Sequence, residues 1–354
     1  MMHRIERTFA GRPLIIETGR MAKQAAGSAL VTYGETVLLA AVTVSEKKSP
    51  LPFFPLTVEY KEKMYASGKI PGGFIKREGR PRDEEILSCR IIDRSIRPLF
   101  PEGFQNEVQV VIYVLSADQE NDHDVLGLIA TSFALSASKI PWAGPIAGVR
   151  VGRVEGKWLL NPTFQALEFS DMDMIVAGSA DSIMMVEGGA LEVSEADIVE
   201  GLKIAQKGIG EIVAMQEELL KKAGVAEKMA WTATEMPADV KKTVTKAAEK
   251  RIEAAINQKD KATRIQAVEK VKEEVKAEMA TVLDPAHHGL VGMIVGDLEY
   301  NALRAQVLDP PASASTAASR TSCATSRSTR RCSRAPTGRR SSRAARRRRS
   351  SSAR

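Results

Sequence analysis

From Pro310 to Arg354 the chain holds thirteen Arg, twelve Ser, nine Ala and five Thr, and not one Leu, Ile, Val, Phe, Met, Tyr or Trp. Such a segment has no apolar surface to bury, while ordering its backbone would cost roughly 1–2 kcal/mol per residue. Residues 310–354 are therefore expected to be a disordered Arg/Ser/Ala-rich tail, which confines folding to residues 1–309. The tail also sets the charge. The chain is +7 overall and the tail supplies +13, so residues 1–309 carry −6. A basic balance of this origin does not make the folded part a nucleic-acid binder.

The folded part is long enough for two domains of ordinary size. Cys323 and Cys332 lie in the tail and Cys89 stands alone, so there is neither zinc spacing nor a disulfide framework, and a reducing, cytoplasmic setting is expected. The opening Met1-Met2-His3-Arg4-Ile5-Glu6-Arg7 lacks the apolar run of a signal peptide. The longest apolar stretch, 125–140, is interrupted by Thr, Ser and Lys, which argues against a membrane span.

Short β-rich runs at 13–16, 28–32 and 36–44, separated by Gly19, Gly27 and Gly34, predict strands, and 55–62 alternates like a half-buried one. After a Gly/Pro/Lys/Arg loop over 64–82, the acidic turn Asp83-Glu84-Glu85 opens a helix to Ile96, stopped by Pro98. A strand over 108–115, an acidic loop over 118–124 and an apolar helix over 125–138 follow. Further strands are expected at 146–153, 156–160 and within 164–187. Ser194 then caps a long helix to Lys222, with Glu195 and Asp197 in its first turn. Beyond Gly224 the strand signals end. Val240, Val244, Ala247 and Ile252 recur at helical spacing, as do Ile265, Val268, Val271, Val275 and Met279. They predict two amphipathic helices broken near Asn257–Asp260, and a third helix is expected over 297–307.

Chemistry concentrates between Tyr65 and Phe100. Lys69, Lys76, Arg77, Arg80 and Arg82 interleave with Tyr65 and Phe74, and Arg90, Arg94 and Arg97 follow at helical spacing on one face. Cations that neutralise phosphates beside a ring that stacks on a base make a single-stranded RNA site. A solvated surface on which Asp93 and other acids pair with the arginines explains the same residues, and both readings stay open here. Asp118, Glu120, Asp122, His123 and Asp124 invite a metal reading but lack the calcium-loop Gly and Glu, so capping of the 125–138 helix is the better account. His287-His288 have no third ligand nearby in sequence, and Cys89 reads as a buried small hydrophobe. No nucleophile–base arrangement can be argued.

The stretches YASGKIPGGFIKREGRP and IIDRSIRPLFPEGF, with GRPLIIETGRMAKQAAGSALVTYGETVLLAAV, DVLGLIATSFALSASKIPWAGPIAGVRVG and MMVEGGALEVSE, make residues 3–309 resemble the first half of the bacterial polynucleotide phosphorylase (polyribonucleotide nucleotidyltransferase) family. That resemblance implies an α/β (α+β) RNase PH-like domain of the ribosomal protein S5 domain 2-like fold over 1–223, then an all-helical linker domain over 236–309. It implies magnesium-dependent, phosphate-consuming degradation of single-stranded RNA from the 3′ end to nucleoside diphosphates. It further implies a homotrimeric ring with a central channel, and association with an endoribonuclease and a helicase in RNA decay.

The family's channel loop, two aromatics followed by two arginines, falls on Phe74, Ile75, Lys76 and Arg77, with Arg80 as the next basic position. RNA contact is thus expected at Phe74, Lys76, Arg77 and Arg80, and along Arg90, Arg94 and Arg97. The resemblance also implies that the catalytic and magnesium-binding residues belong to a second RNase PH-like copy that begins at Asp309, ahead of KH and S1 domains. None of those residues can be carried onto this sequence. The expected catalytic and metal residues here are therefore none, a shifted reading frame is the expected origin of 310–354, and the 354-residue chain is expected to be inactive by itself. The alternative is a non-enzymatic RNA-binding or assembly fragment.

Overall fold

Strand β6 (Asn106–Ser116) shows why the first part of the chain folds as a layered sheet: Asn106, Val108, Val110, Ile112 and Val114 are buried, and the residues between them are not. This period of two turns one side of the strand to the core. The computed structural model describes residues 2–51, 53–73, 78–231, 237–258, 260–284 and 287–308. The chain falls into two compact units, Met1–Glu235 and Met236–Arg354.

In the first unit, β1 (His3–Phe9), β2 (Arg12–Thr18), β3 (Gly27–Tyr33), β4 (Thr36–Lys48), β5 (Leu56–Glu62) and β6 form one sheet in the order β1-β2-β3-β4-β6-β5. All neighbours are antiparallel except β5 and β6, which run parallel with Val58 opposite Val110. Helix α1 (Asp83–Ile96) lies between β5 and β6 in sequence and packs on β5, as a parallel crossover requires. The second sheet is antiparallel, in the order β10-β9-β7-β8, from β7 (Ala147–Val154), β8 (Lys157–Leu160), β9 (Met172–Gly178) and β10 (Ile183–Ala190).

Helix α2 (Asp124–Ala137) is buried from Val125 through Ser136. It packs on β3 and β4 of one sheet and on β7 of the other, which is why its sequence has no polar face. Close approach is built in at Gly27, where an added Cβ would come within 2.1 Å of the Ala134 carbonyl. Ser132 on α2 donates to Gln216 Oε1 (2.9 Å) and accepts from the Ile146 backbone (2.9 Å), while Gln216 Nε2 donates to the Ile146 carbonyl (2.8 Å). Gln216 sits on α4 (Glu195–Ala223), capped by Ser194, and is fully buried. This closed set satisfies the polar groups that tie α2, α4 and the approach to β7 together.

The second unit is three helices, α5 (Ala238–Ile256), α6 (Lys261–Val282) and α7 (His288–Leu308). Val240, Val244, Ala248, Ile252, Val268, Val275, Met279, Val291, Ile294 and Val295 are buried together. Asp260 caps α6 by accepting from the Thr263 backbone at 2.9 Å. No helix among the described residues is long and apolar enough to cross a membrane.

Four sequence expectations change. Strand β1 has little sequence signal, because only Ile5 and Phe9 of it are buried and the alternation is short. The 164–187 run contains a short helix, α3 (Phe164–Glu168), because Thr163 accepts from the Ala166 backbone and starts a turn. Helix α7 begins at His288 rather than Asp297, since Gly289, Gly292 and Gly296 do not break a helix held by Val291, Ile294 and Val295. Ile265, expected on the buried stripe of α6, is 55% exposed. The tail lies outside the described residues.

Candidate nucleic-acid interface

The acidic first turn of α1 anchors the basic segment. Glu85, on that turn, accepts from the Arg82 backbone at the start of the helix (2.6 Å) and from the Glu62 backbone at the end of β5 (2.7 Å). One carboxylate thus caps the helix and fastens it to the sheet. The three arginines that follow share a face of α1, yet their surroundings differ. Arg97 makes two bonds to Asp93 (2.7 and 2.6 Å), donates to the Phe54 and Leu56 carbonyls (3.1 and 3.3 Å), and lies over the Phe54 ring. Arg94 pairs with Glu187 on β10 at 2.5 Å. Both act as internal fasteners. Arg90 is exposed and has no hydrogen-bond or ion-pair partner among the described residues.

Arg90 borders a cavity of about 1080 Å³ between β5, β6, the 3-10 turn Met64–Ser67 and the first half of α1. Lys69 and Arg80 also line it and likewise have no side-chain partner among the described residues. The remaining cations are engaged: Lys61 with Glu59 (2.6 Å), Lys63 with Glu78 (3.0 Å) and Arg82 with Glu62. Phe74, Lys76 and Arg77, with Ile75, lie outside the described residues.

The inner wall of the cavity is a polar set, buried Tyr60 with half-buried His123 and Glu62, that the sequence does not reveal. The Tyr60 hydroxyl and His123 Nδ1 are 2.7 Å apart, and His123 Nε2 is 3.7 Å from Glu62. Burial pushes the Tyr60 phenol far above its usual range, reinforced by Asp124 and Glu62. The phenol therefore stays protonated and shares one hydrogen with the imidazole Nδ1. Burial also raises the Glu62 carboxyl, against the pull of His123 and Arg82. The alternation of β5 does put Tyr60 inside, but its partner His123 is 63 residues away in sequence, and no local signal joins the two. Cys89 is half-buried rather than buried. It lines the same cavity, its Sγ accepts from the Tyr60 backbone (3.1 Å), and burial pushes its thiol up, away from nucleophilic use.

The acidic loop acts as a scaffold. Asp118 accepts from the Glu120 and Asn121 backbones, both at 2.9 Å, and so closes the turn ahead of α2. Asp122, His123 and Asp124 bring one potential ligand atom each within 4.8 Å of the others. Asp122, however, is paired with Arg150, which also binds Asp173 (2.7 Å), and Asp124 accepts from Ser88 (2.5 Å). Magnesium prefers oxygen ligands and ordered water in an octahedral shell. A trio with an imidazole and a guanidinium-neutralised carboxylate does not fit it. His287 and His288 join no such group among the described residues; His288 Nε2 lies 3.1 Å from the Leu283 carbonyl.

Comparison with known proteins addresses both units. A model of the 3′ exoribonuclease family, domain 1, matches residues 10–141, and one of the 3′ exoribonuclease family, domain 2, matches 144–208. The helical unit matches polyribonucleotide nucleotidyltransferase, RNA binding domain, over 239–311. Among curated relatives, the polyribonucleotide nucleotidyltransferase of Gemmatimonas aurantiaca is 68% identical over 308 residues, 87% of this chain and 42% of that protein. Those of Geotalea uraniireducens and Thermus thermophilus are 44% identical over 314 residues and 49% identical over 278 residues. These two alignments cover 87% and 78% of this chain and 44% and 39% of the relatives. The chain thus spans less than half the length of the relatives it matches.

Proposed function

The chain belongs to the polyribonucleotide nucleotidyltransferase family, as its N-terminal part, and from that premise we propose that the whole protein degrades RNA from its 3′ end by phosphorolysis. In this reading an oxygen of inorganic phosphate bonds to the phosphorus of the terminal phosphodiester as the bond from that phosphorus to the 3′ oxygen of the preceding nucleotide breaks; the 3′-terminal nucleotide leaves as a nucleoside diphosphate, and the released 3′ oxygen takes up a proton to end the shortened RNA in a hydroxyl. Magnesium, when bound, would neutralise charge on the reacting phosphates. Its ligands, and the groups that act on the reacting atoms, lie outside residues 1–308 in this reading.

The part proposed for residues 1–308 is to hold single-stranded RNA. Arg80 would contact phosphates next to Phe74, Lys76 and Arg77, which resemble the family's channel loop. Arg94 and Arg97 would take no direct part, because Glu187 and Asp93 already occupy them. The observation that carries this reading is the set of cations without partners among the described residues, Lys69, Arg80 and Arg90, around one cavity in a chain whose first 309 residues are net negative. For the 354-residue chain alone we propose RNA binding without phosphorolysis, in a homotrimer-forming family.

Two assays on the purified chain test this together. Radiolabelled oligoribonucleotide should bind with an affinity that falls steeply with salt, and no nucleoside diphosphate should form when phosphate and magnesium are added. Salt-insensitive or absent binding would remove the RNA role. Diphosphate release would show that the chemistry lies within these 354 residues.

A further inference from the structure

Between Trp158 and Leu202 the chain carries nine acidic side chains and no Lys, Arg or His. Four of the nine are matched: Arg153 holds Asp171 (2.7 Å) and Asp197 (3.1 Å), Arg150 holds Asp173 (2.7 Å), and Arg94 holds Glu187. Glu168, Asp181, Glu192, Glu195 and Glu200 are exposed and have no side-chain partner among the described residues. All but Asp181 gather at one end of the second sheet, beside its edge strand β10. There the Leu191 backbone donates to the Asp171 carbonyl (2.8 Å), and Arg153 ties Asp171 to Asp197 in the first turn of α4. Two large apolar side chains stand among these acids, Phe169 at 72% and Leu191 at 74% exposed.

A face with this charge repels RNA and repels its own copy on a second chain, so its occupant has to be cationic. An exposed ring among carboxylates suits Arg better than Lys, because a planar guanidinium pairs with acids and stacks on a ring at once. The border of the face already shows that arrangement: Arg153 bridges two carboxylates and lies over the Trp158 ring, 5.5 Å from its centroid. Residues 310–354 hold thirteen Arg, no Lys and no acid. We propose that this Arg-rich tail docks on the face of its own chain, its guanidinium groups paired with Glu168, Glu192, Glu195 and Glu200 and stacked on Phe169. Forty-five residues reach about 150 Å when extended, several times the radius of gyration of about 18 Å for a 235-residue domain. Chain length therefore does not limit the contact. Docking withholds these arginines from other polyanions. The assignment is separate from the RNA reading of the cavity beside α1, and its test contains no RNA.

Paramagnetic relaxation measured by NMR on the full 354-residue chain tests the docking. A nitroxide is attached to Cys332, with Cys323→Ser and Cys89→Ser removing the other thiols; Ser at 89 keeps an acceptor for the Tyr60 backbone. At low salt the amide signals around Phe169, Leu191 and the first turn of α4 should broaden most. Salt at about 1 M, where the Debye length is about 3 Å, should restore them. The combined substitution Glu192→Gln, Glu195→Gln and Glu200→Gln should restore them at low salt, with circular dichroism and melting confirming that the variant folds. When the nitroxide chain is mixed with an isotope-enriched chain that carries no nitroxide, the enriched chain should show no broadening, because the contact lies within one chain. Broadening that is absent or centred elsewhere, that survives the triple substitution, or that is equally strong in the mixture would overturn the proposal.

Discussion

Residues 61–90 of the first unit carry eight basic and five acidic side chains, and residues 237–308 of the helical unit carry twelve and eleven. The helical unit has the greater number of cations but almost no excess. Several are paired, as in Arg251–Glu278 (2.8 Å) and Lys272–Glu299 (2.9 Å). In the first unit the excess gathers around one cavity, where Lys69, Arg80 and Arg90 are left over after every acid on the lining has found a partner. The matched family description places RNA binding in the helical unit. A region's ability to attract a polyanion depends on its unpaired charge, not on its lysine count. The same lesson applies to the tail, whose thirteen arginines set the overall pI without reporting on either folded unit.

Damage to the helical unit should leave RNA binding intact. Ile252 is 1% exposed in the three-helix core, so Ile252→Ala should destabilise that unit by about 3 kcal/mol. RNA affinity measured well below its melting point should stay within about twofold of the parent. A loss of affinity in step with the melting of α5 would move RNA binding to the helical unit. Next in size, the triple substitution Lys69→Ala, Arg80→Ala and Arg90→Ala should weaken oligoribonucleotide binding about a hundredfold at low salt. It should also reduce the salt slope by about two, as expected for three lost phosphate contacts on a single strand. An unchanged slope in filter binding would show that these cations do not meet phosphates.

A smaller effect concerns acid. Burial pushes the Asp118 carboxyl up, but hydrogen bonds from the Asn121 and Glu120 backbones outweigh this and hold it below its usual value. Its stabilising contribution is therefore complete above the unfolded carboxylate pKa and is lost as pH falls through the lower folded value. Asp118→Asn should flatten the acid limb of the first unit's melting profile and leave that of the helical unit as it was. Smallest of all, Lys242→Ala removes an exposed cation of α5 on a face that also carries Glu249 and Glu253. RNA affinity should change by less than about twofold, the scale of a solvated surface charge.

Much of this architecture was legible in the sequence, for identifiable reasons. The alternation of 55–62, the acidic turn before Ile86 and the Ser194 cap are local signals, and they located β5, α1 and α4 closely. Resemblance identified the family and the basic loop. What the sequence could not show was which cations remain free. Arg90, Arg94 and Arg97 are alike in spacing, and only the arrival of Glu187 from β10, 93 residues away from Arg94, and of the Phe54 and Leu56 carbonyls separates two fasteners from one open guanidinium. The Tyr60–His123 contact was hidden for the same reason: each partner follows its own local rule, and the pairing exists only in the folded sheet. Helix α7 extends further toward the N-terminus than expected, because the low helix propensity of its glycines yields there to burial of Val291, Ile294 and Val295.

RNA is proposed to meet this chain at the open cations of the first unit. Photocrosslinking of a 4-thiouridine oligoribonucleotide to the 354-residue chain, followed by mass-spectrometric mapping, addresses it directly. Most crosslinked peptides should come from residues 61–90. Crosslinks confined to 237–308, or to the arginines beyond Pro310, would contradict it.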